Sequence, residues 1–314
     1  MLHGAETEIN FIDVVASDNV KIKINHERTN SKGDEKITSG TLHRLTAFSK
    51  HIDGGNPAGV WVGEALPDAH TMQHIATEVG FSETVFVAPS MGFNRTVRYF
   101  SLKAEVPFCG HATIAAGAVL AEANGDGIYR LSTNVGEVPV HVHTRDGFIE
   151  VSLTSVEPTH TSTPDTLINE TLSVLGWKRD DLDDSIPCAK IYAGAWHLLL
   201  AVSTANCLEK LDYDFEKLKA IMLNADLTTL QLVWREKTDV FHSRNPFPVG
   251  GVVEDSATGA AAAALGGYLR ATKLIPLPST FIIRQGEAMG RPSRLTVDVP
   301  KSGGIVVTGT AIRL

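Results

Sequence analysis

The sequence predicts an α+β protein of two pseudo-symmetric halves, each a curved mixed sheet or barrel wrapped around a central buried helix. Three observations lead there. Short strand-like stretches separated by turns outnumber the helical ones, which argues against a doubly wound nucleotide fold. A faint duplication comes second: Glu105–Ala112 (EVPFCGHA) lies over Glu254–Ala261 (EDSATGAA), both reading Glu, three residues, Cys or Thr, Gly, one residue, Ala. The same offset maps Leu120 onto Leu269 without a gap, the spacing expected of a duplicated domain. Third, each copy opens a helix that is apolar nearly all round, Ala112–Ala121 and Ala260–Leu269. A surface helix keeps a polar face, so both of these require protein on every side.

The elements follow in order. Residues 1–40 read as an N-terminal extension expected to be flexible, because the charged stretch Asn19–Gly40 shows little apolar periodicity. Ile9–Val15 suits a short strand there, and Ser31–Glu35 a solvated linker. Thr41–Phe48 is strand-like, Asp53–Gly59 reads as a turn-rich loop, and Val60–Val62 resumes a strand. Asp68 can cap a helix burying Met72, Ile75, Ala76 and Val79, with Gly80 as its stop. Ser82–Val87 and Arg95–Phe100 are strands by β-branched and aromatic content, and Gly136–Val142 with Phe148–Leu153 form a hairpin. Glu157–Pro164 is the boundary between a first domain, 41–157, and a second, 158–314, whose last strand is free to return to the first. In the second, Glu170–Leu175 and Asp214–Leu223 are helical; Ala189–Val202, Leu230–Trp234 and Val240–Arg244 supply strands.

Composition bounds the function. The 314 residues carry 28 Lys and Arg against 36 Asp and Glu, a net charge of −8. That opposes a nucleic-acid surface, whose affinity comes from cations displacing counterions, but not a local site for a small anion. No apolar run approaches the ~18 residues of a membrane helix, and the N-terminus lacks a secretory pattern. Three cysteines without a CxxC pair exclude a disulfide framework and a cysteine zinc site, so a cytoplasmic protein is the expectation.

Both repeat helices begin with Gly and small residues, Gly110 in one and Gly259-Ala260 in the other. Their free N–H groups, facing each other, would hold a carboxylate between the halves; the plainer reading is that the glycines permit tight turns. Strand alternation puts Glu83 on a face with Val85 and Val87, where partial desolvation raises its pKa and makes it a usable proton carrier. His111 and Asp255 suit an acid/base pair, substrate hydrogen bonds, or mutual anchoring of the domains. Cys109 has Thr258 as its repeat mate, which disfavours two-thiol stereoinversion. His70 and His74, spaced i, i+4, have no acidic third ligand and read as exposed helix residues. Arg291 suits either an anion or bracing of its turn, and the loop 54–59 lacks the Lys-Ser/Thr of a P-loop.

The segments Gly55–Val60 (GNPAGV), Phe81–Phe86 (FSETVF), Glu105–Thr113, Glu254–Ala260 and Gln285-Gly286 with Met289–Ser293 occur together and in this order. In them the chain resembles the PhzF-type isomerases, the phenazine biosynthesis PhzF-like proteins, over about residues 41–310. The resemblance implies a diaminopimelate epimerase-like fold with the active site between the halves. It implies cofactor-free isomerisation of a small anionic substrate by proton abstraction and return, no metal, and a homodimer. Glu83 stands where the family keeps its catalytic acid/base. Gly110 and His111 match the GHAT motif, and Asp255, Gly259 and Ala260 fall in the second motif, all implied to face substrate. Two positions depart from the pattern: Ala260 replaces a serine and Ser256 a proline. The missing hydroxyl bears on whether the best-known activity of the family, on a dihydro-hydroxyanthranilate ring, transfers to this chain. Two other readings are a thiol racemase or epimerase and a non-catalytic binding protein on a degenerate isomerase fold.

Overall fold

The computed structural model describes Asn19–Ile24 and residues 38–314; the expectations for Ile9–Val15 and Ser31–Glu35 lie outside the described residues. The first half runs β1 (Asn19–Ile24), β2 (Thr38–Ala47), β3 (Asn56–Gly63), α1 (Ala69–Val79), β4 (Glu83–Pro89), β5 (Asn94–Ser101), β6 (Glu105–Val106), α2 (Gly110–Asn124), β7 (Gly127–Thr133), β8 (Gly136–Arg145) and β9 (Phe148–Thr154). The second runs β10 (Thr159–Ser162), α3 (Asp165–Leu175), β11 (Ala189–Tyr192), β12 (Trp196–Val202), α4 (Ala205–Glu209), α5 (Phe215–Asn224), β13 (Thr229–Lys237), β14 (Val240–Phe247), β15 (Val252–Asp255), α6 (Gly259–Ala271), β16 (Ser279–Gln285), β17 (Ser293–Val299) and β18 (Val306–Arg313).

Eight strands close around α2 in the order β2–β3–β4–β5–β7–β8–β9–β18 and back to β2. The β3–β4 and β5–β7 pairs are parallel and the rest antiparallel. The second half repeats the pattern as β11–β12–β13–β14–β16–β17–β18, with β12–β13 and β14–β16 parallel. Even the two-residue β6 on β5 has its counterpart, β15 on β14. β18 belongs to both halves: its first residues pair with β17 and β9, its last three with β2. β1 continues that edge of β2, pairing with Thr38–His43, so part of the segment read as an extension is a strand.

The two central helices are buried as their composition requires, α2 from His111 to Ala121 and α6 from Ala261 to Leu269. The sheets come close to them. A Cβ on Gly117 would lie 2.6 Å from Cγ1 of Val151 in β9, and at Gly266, its repeat mate, 3.1 Å from Val297 and Ile305. These glycines let each sheet rest on its helix. α1 behaves as its pattern predicts, with Asp68 accepting from the Thr71 N–H and Gly80 in the left-handed conformation.

Two expectations are corrected. The stretch read as a loop up to Gly59 is strand from Asn56 onward, and the turn ends at Gly55, where φ is +74°. Gly59 answers a contact, since a Cβ there would meet Thr84 Oγ1 at 2.6 Å; glycine at a close approach mimics the signature of a turn. Helix α3 starts at Asp165, immediately after Pro164, rather than at Glu170. Proline's fixed φ suits a helix entrance, so the chain turns helical as soon as it leaves the Pro/Thr/Ser crossing.

Gly117→Val is expected to destabilise the protein by about 1–3 kcal/mol, the usual cost of overpacking a dense core. Urea unfolding of the variant checks it; an unchanged midpoint would mean that α2 is loosely held.

Candidate active site

Both repeat motifs deliver a helix N-terminus to one place. Neither Cys109 before α2 nor Thr258 before α6 makes a side-chain capping bond, so the first N–H groups lack that partner. A Cβ on Gly110 would meet nothing within 4 Å, and on Gly259 only Phe48 at 3.7 Å. Neither glycine has a positive φ. Neither glycine is therefore required by a left-handed backbone, and each has open space beside it. Ala260 follows at the same end, partly exposed.

Glu83 is the first residue of β4, opposite Ala58 and Ser101, and its carboxylate lies 3.3 Å from His111 Nε2. Its side chain is 16% exposed and that of His111 7%. Burial pushes Glu83 above the usual carboxylate range, opposed by hydrogen bonds from Ser82 and Cys109. Burial pushes His111 down, opposed by the Asp255 charge, and leaves it neutral near pH 7. Asp255 is raised by burial and by the charge of Glu83. His111, the Thr258 hydroxyl (2.6 Å) and the Asn56 amide (2.7 Å) pull the other way. Cys109 is buried and its thiol is pushed well up by burial and by Glu83.

His111 and Asp255 meet through Asn56, whose amide reaches His111 Nδ1 (3.2 Å), Asp255 Oδ1 and the Ala257 carbonyl. Direct anchoring of the two is thus replaced by a bridge from the first half to the second. Gln285 braces the second motif: its amide donates to the Asp255 carbonyl and Thr258 Oγ1 and accepts from the Thr258 N–H. Arg291 binds the Gly54 and Gly55 carbonyls and Thr46 Oγ1, so it braces the first-half turn from the second half. Asn56 and Gln285 sit in the motifs noted above, but no spacing rule assigned them partners. His70 is exposed and His74 half-buried, so that pair is only partly solvated.

Strand register exposes an asymmetry. Phe86 of β4 faces Arg98 as Leu232 of β13 faces Arg244. Three residues back along each strand, Thr229 occupies the place of Glu83. The repeat likewise sets Thr258 against Cys109, Ala260 against His111 and Val106 against Asp255. The groups that titrate at the first-half positions have no titratable counterpart in the second. Among the described residues, Glu83, Cys109 and His111 also form a group of three metal-ligand types, with donor atoms within 4.8 Å of one another.

A duplicated half-barrel fold with two open helix ends and a carboxylate–imidazole pair between them defines a class, the isomerases and epimerases of this architecture. The family model described as phenazine biosynthesis-like protein matches residues 45–314, and the chain belongs to that family. It is an isomerase by that membership. An uncharacterised isomerase of Pasteurella multocida is 32% identical over 283 residues, covering 88% of this chain and 92% of its own. The trans-2,3-dihydro-3-hydroxyanthranilate isomerase of Pseudomonas aeruginosa is 30% identical over 262 residues, covering 81% and 89%. The crystal structure of a PhzF-family phenazine biosynthesis protein from Bacillus anthracis superposes with a TM-score of 0.79 at 24% identity, covering 87% and 96%. A hydroxyproline epimerase from Agrobacterium vitis shares the fold with a TM-score of 0.61 at 12% identity, covering 88% and 90%.

Each motif hairpin is clamped by an arginine. Arg98 holds Glu105 through Nε (2.7 Å) and Nη2 (2.5 Å), and Arg244 holds Glu254 through Nε (3.0 Å) and Nη2 (2.5 Å). Bidentate geometry fixes direction as well as distance, which aims the residues that follow each Glu. The pairs differ in burial: the side chains are 28% and 27% exposed in the first, 14% and 4% in the second. Arg244→Met strands a buried carboxylate next to Asp255 and is expected to cost about 3–5 kcal/mol. Arg98→Met leaves its partner access to water and is expected to cost less; equal losses in urea unfolding would refute the distinction.

Proposed function

We propose that this chain is a cofactor-independent isomerase that moves a proton on a small carboxylate-bearing metabolite, cyclic or unsaturated, with Glu83 as the acid/base. The observation that carries the reading is the Glu83–His111 pair, which has no titratable counterpart across the pseudo-twofold. A two-base racemase needs one base per half; here the other half offers Thr229, Thr258 and Ala260. The Thr258 hydroxyl already donates to Asp255, and the raised Cys109 thiol is a poor nucleophile or base near neutrality.

The steps balance within the site. The N-termini of α2 and α6 bind the substrate carboxylate. The Glu83 carboxylate takes a proton from carbon, the electron pair delocalises into the adjoining unsaturation, and the resulting carboxyl returns the proton at another carbon. A raised pKa moves Glu83 toward the range in which both forms are accessible. His111 and Asp255 orient the substrate and stabilise developing charge. Ala260 leaves the pocket one hydroxyl poorer than the family pattern, a change expected to act on substrate choice. A homodimer belongs to the same reading, and light scattering of the purified chain tests it.

The assay supplies trans-2,3-dihydro-3-hydroxyanthranilate and other unsaturated carboxylates in heavy water and follows deuterium incorporation. Glu83→Gln keeps shape but cannot accept a proton, and is expected to lose at least about a hundredfold in turnover while binding substrate. Near-normal turnover in a folded variant would move the role to Asp255 or His111. Exchange by neither protein would favour the binding-protein reading. Abstraction needs the ionised carboxylate, so kcat/KM is expected to rise with pH through a value above that of ordinary glutamate. That limb should disappear in Glu83→Gln. Cys109→Ser keeps a small donor beside Glu83 and is expected to retain most activity; complete inactivation would restore the thiol mechanism.

A further inference from the structure

We infer that Asn56 is a positioning residue that locks His111 in the neutral Nε2–H tautomer, so that the ring's single proton is presented to Glu83. The orientation of the Asn56 amide follows from its partners. The Ala257 carbonyl, 3.3 Å from Nδ2, can only accept, and Asp255 Oδ1 at 2.7 Å is an acceptor whenever it is ionised. The amide nitrogen therefore faces all three neighbours, His111 Nδ1 included. Its two hydrogens serve three acceptors, so one is shared, and an amide nitrogen accepts nothing; a proton on Nδ1 would have no acceptor there, so Nδ1 offers its lone pair. Cys109 Sγ lies 3.5 Å from Nδ1 and 3.8 Å from Nε2, and its one hydrogen is directed to Glu83. On the far side, Nε2 is hydrogen-bonded to the Ser82 hydroxyl at 3.4 Å, with the Glu83 carboxylate 3.3 Å away. The Ser82 hydroxyl gives its own proton to Glu83 and so accepts from Nε2. A donor faces Nδ1 and acceptors face Nε2.

Two consequences follow. A second proton on the ring would sit on Nδ1, against the Asn56 N–H, so His111 is a fixed hydrogen-bond donor on the side of Ser82 and Glu83 and does not ferry a proton. The same lock opposes metal ligation through Nε2, which requires a lone pair there and a proton on Nδ1 aimed at an acceptor; Asn56 offers the reverse. The value of the lock for catalysis rests on the proposed acid/base role of Glu83; the tautomer itself does not, and is measured without substrate.

The test is long-range ¹H–¹⁵N NMR on protein labelled at histidine nitrogens, with His111 assigned by its loss in His111→Gln. At pH 7 the wild type is expected to show His111 Nδ1 as the unprotonated nitrogen and Nε2 as the protonated one. An Nδ1–H tautomer or an imidazolium would overturn the inference. Asn56→Asp replaces the donor by an acceptor of the same shape and is expected to move the proton to Nδ1 or charge the ring; retention of Nε2–H in that variant would also overturn it. If the variant does not fold, the wild-type spectrum decides.

Discussion

Two helices that are apolar on every side impose the architecture. Neither α2 nor α6 has a face to turn to water, so each demands protein on every side. A sheet that wraps a helix closely needs small residues at the contact, which is the service of Gly117 and Gly266. The wrapping leaves only the helix ends open. Because backbone N–H groups are unsatisfied at an N-terminus, the proposed function places the substrate carboxylate at these ends.

The frame is symmetric and the chemistry is not. Arg–Glu clamps, parallel strand pairs and uncapped helix ends recur in both halves. The titratable groups are divided unequally, with Glu83, Cys109 and His111 in one half and Asp255 in the other. Symmetric bases would suit taking a proton from one face of a carbon and delivering another to the opposite face. In the proposed reading a single base carries one proton from atom to atom, and its neighbours act as donors whose protons stay in place. Burial raises Glu83 above an ordinary glutamate and lowers His111, keeping the ring neutral.

The halves are joined by few but well-placed links. β18 contributes to both sheets, Arg291 of the second half holds the turn at Gly54 and Gly55, and Asn56 of the first reaches Asp255 and Ala257. These contacts set the cleft geometry, because they bind the loops that carry the site rather than the distant walls of the barrels.

The division between sequence and tertiary structure follows the range of the forces involved. Local pattern determined the buried helices, the caps of α1, the duplicated motif and Glu83 as a carboxylate on an apolar strand face, because periodicity, capping and composition act within a few residues of chain. The resemblance in five ordered motifs carried the family, which the comparison over residues 45–314 shows. Glycine misled where its cause was distant: Gly59 read as a turn because the side chain it makes room for, Thr84, lies on another strand. What Arg291 braces, how Asn56 joins His111 to Asp255, and which residue replaces Glu83 across the pseudo-twofold were decided only by the folded chain. Each depends on groups far apart in sequence whose hydrogen bonds have direction, and direction exists only once the strands are in register.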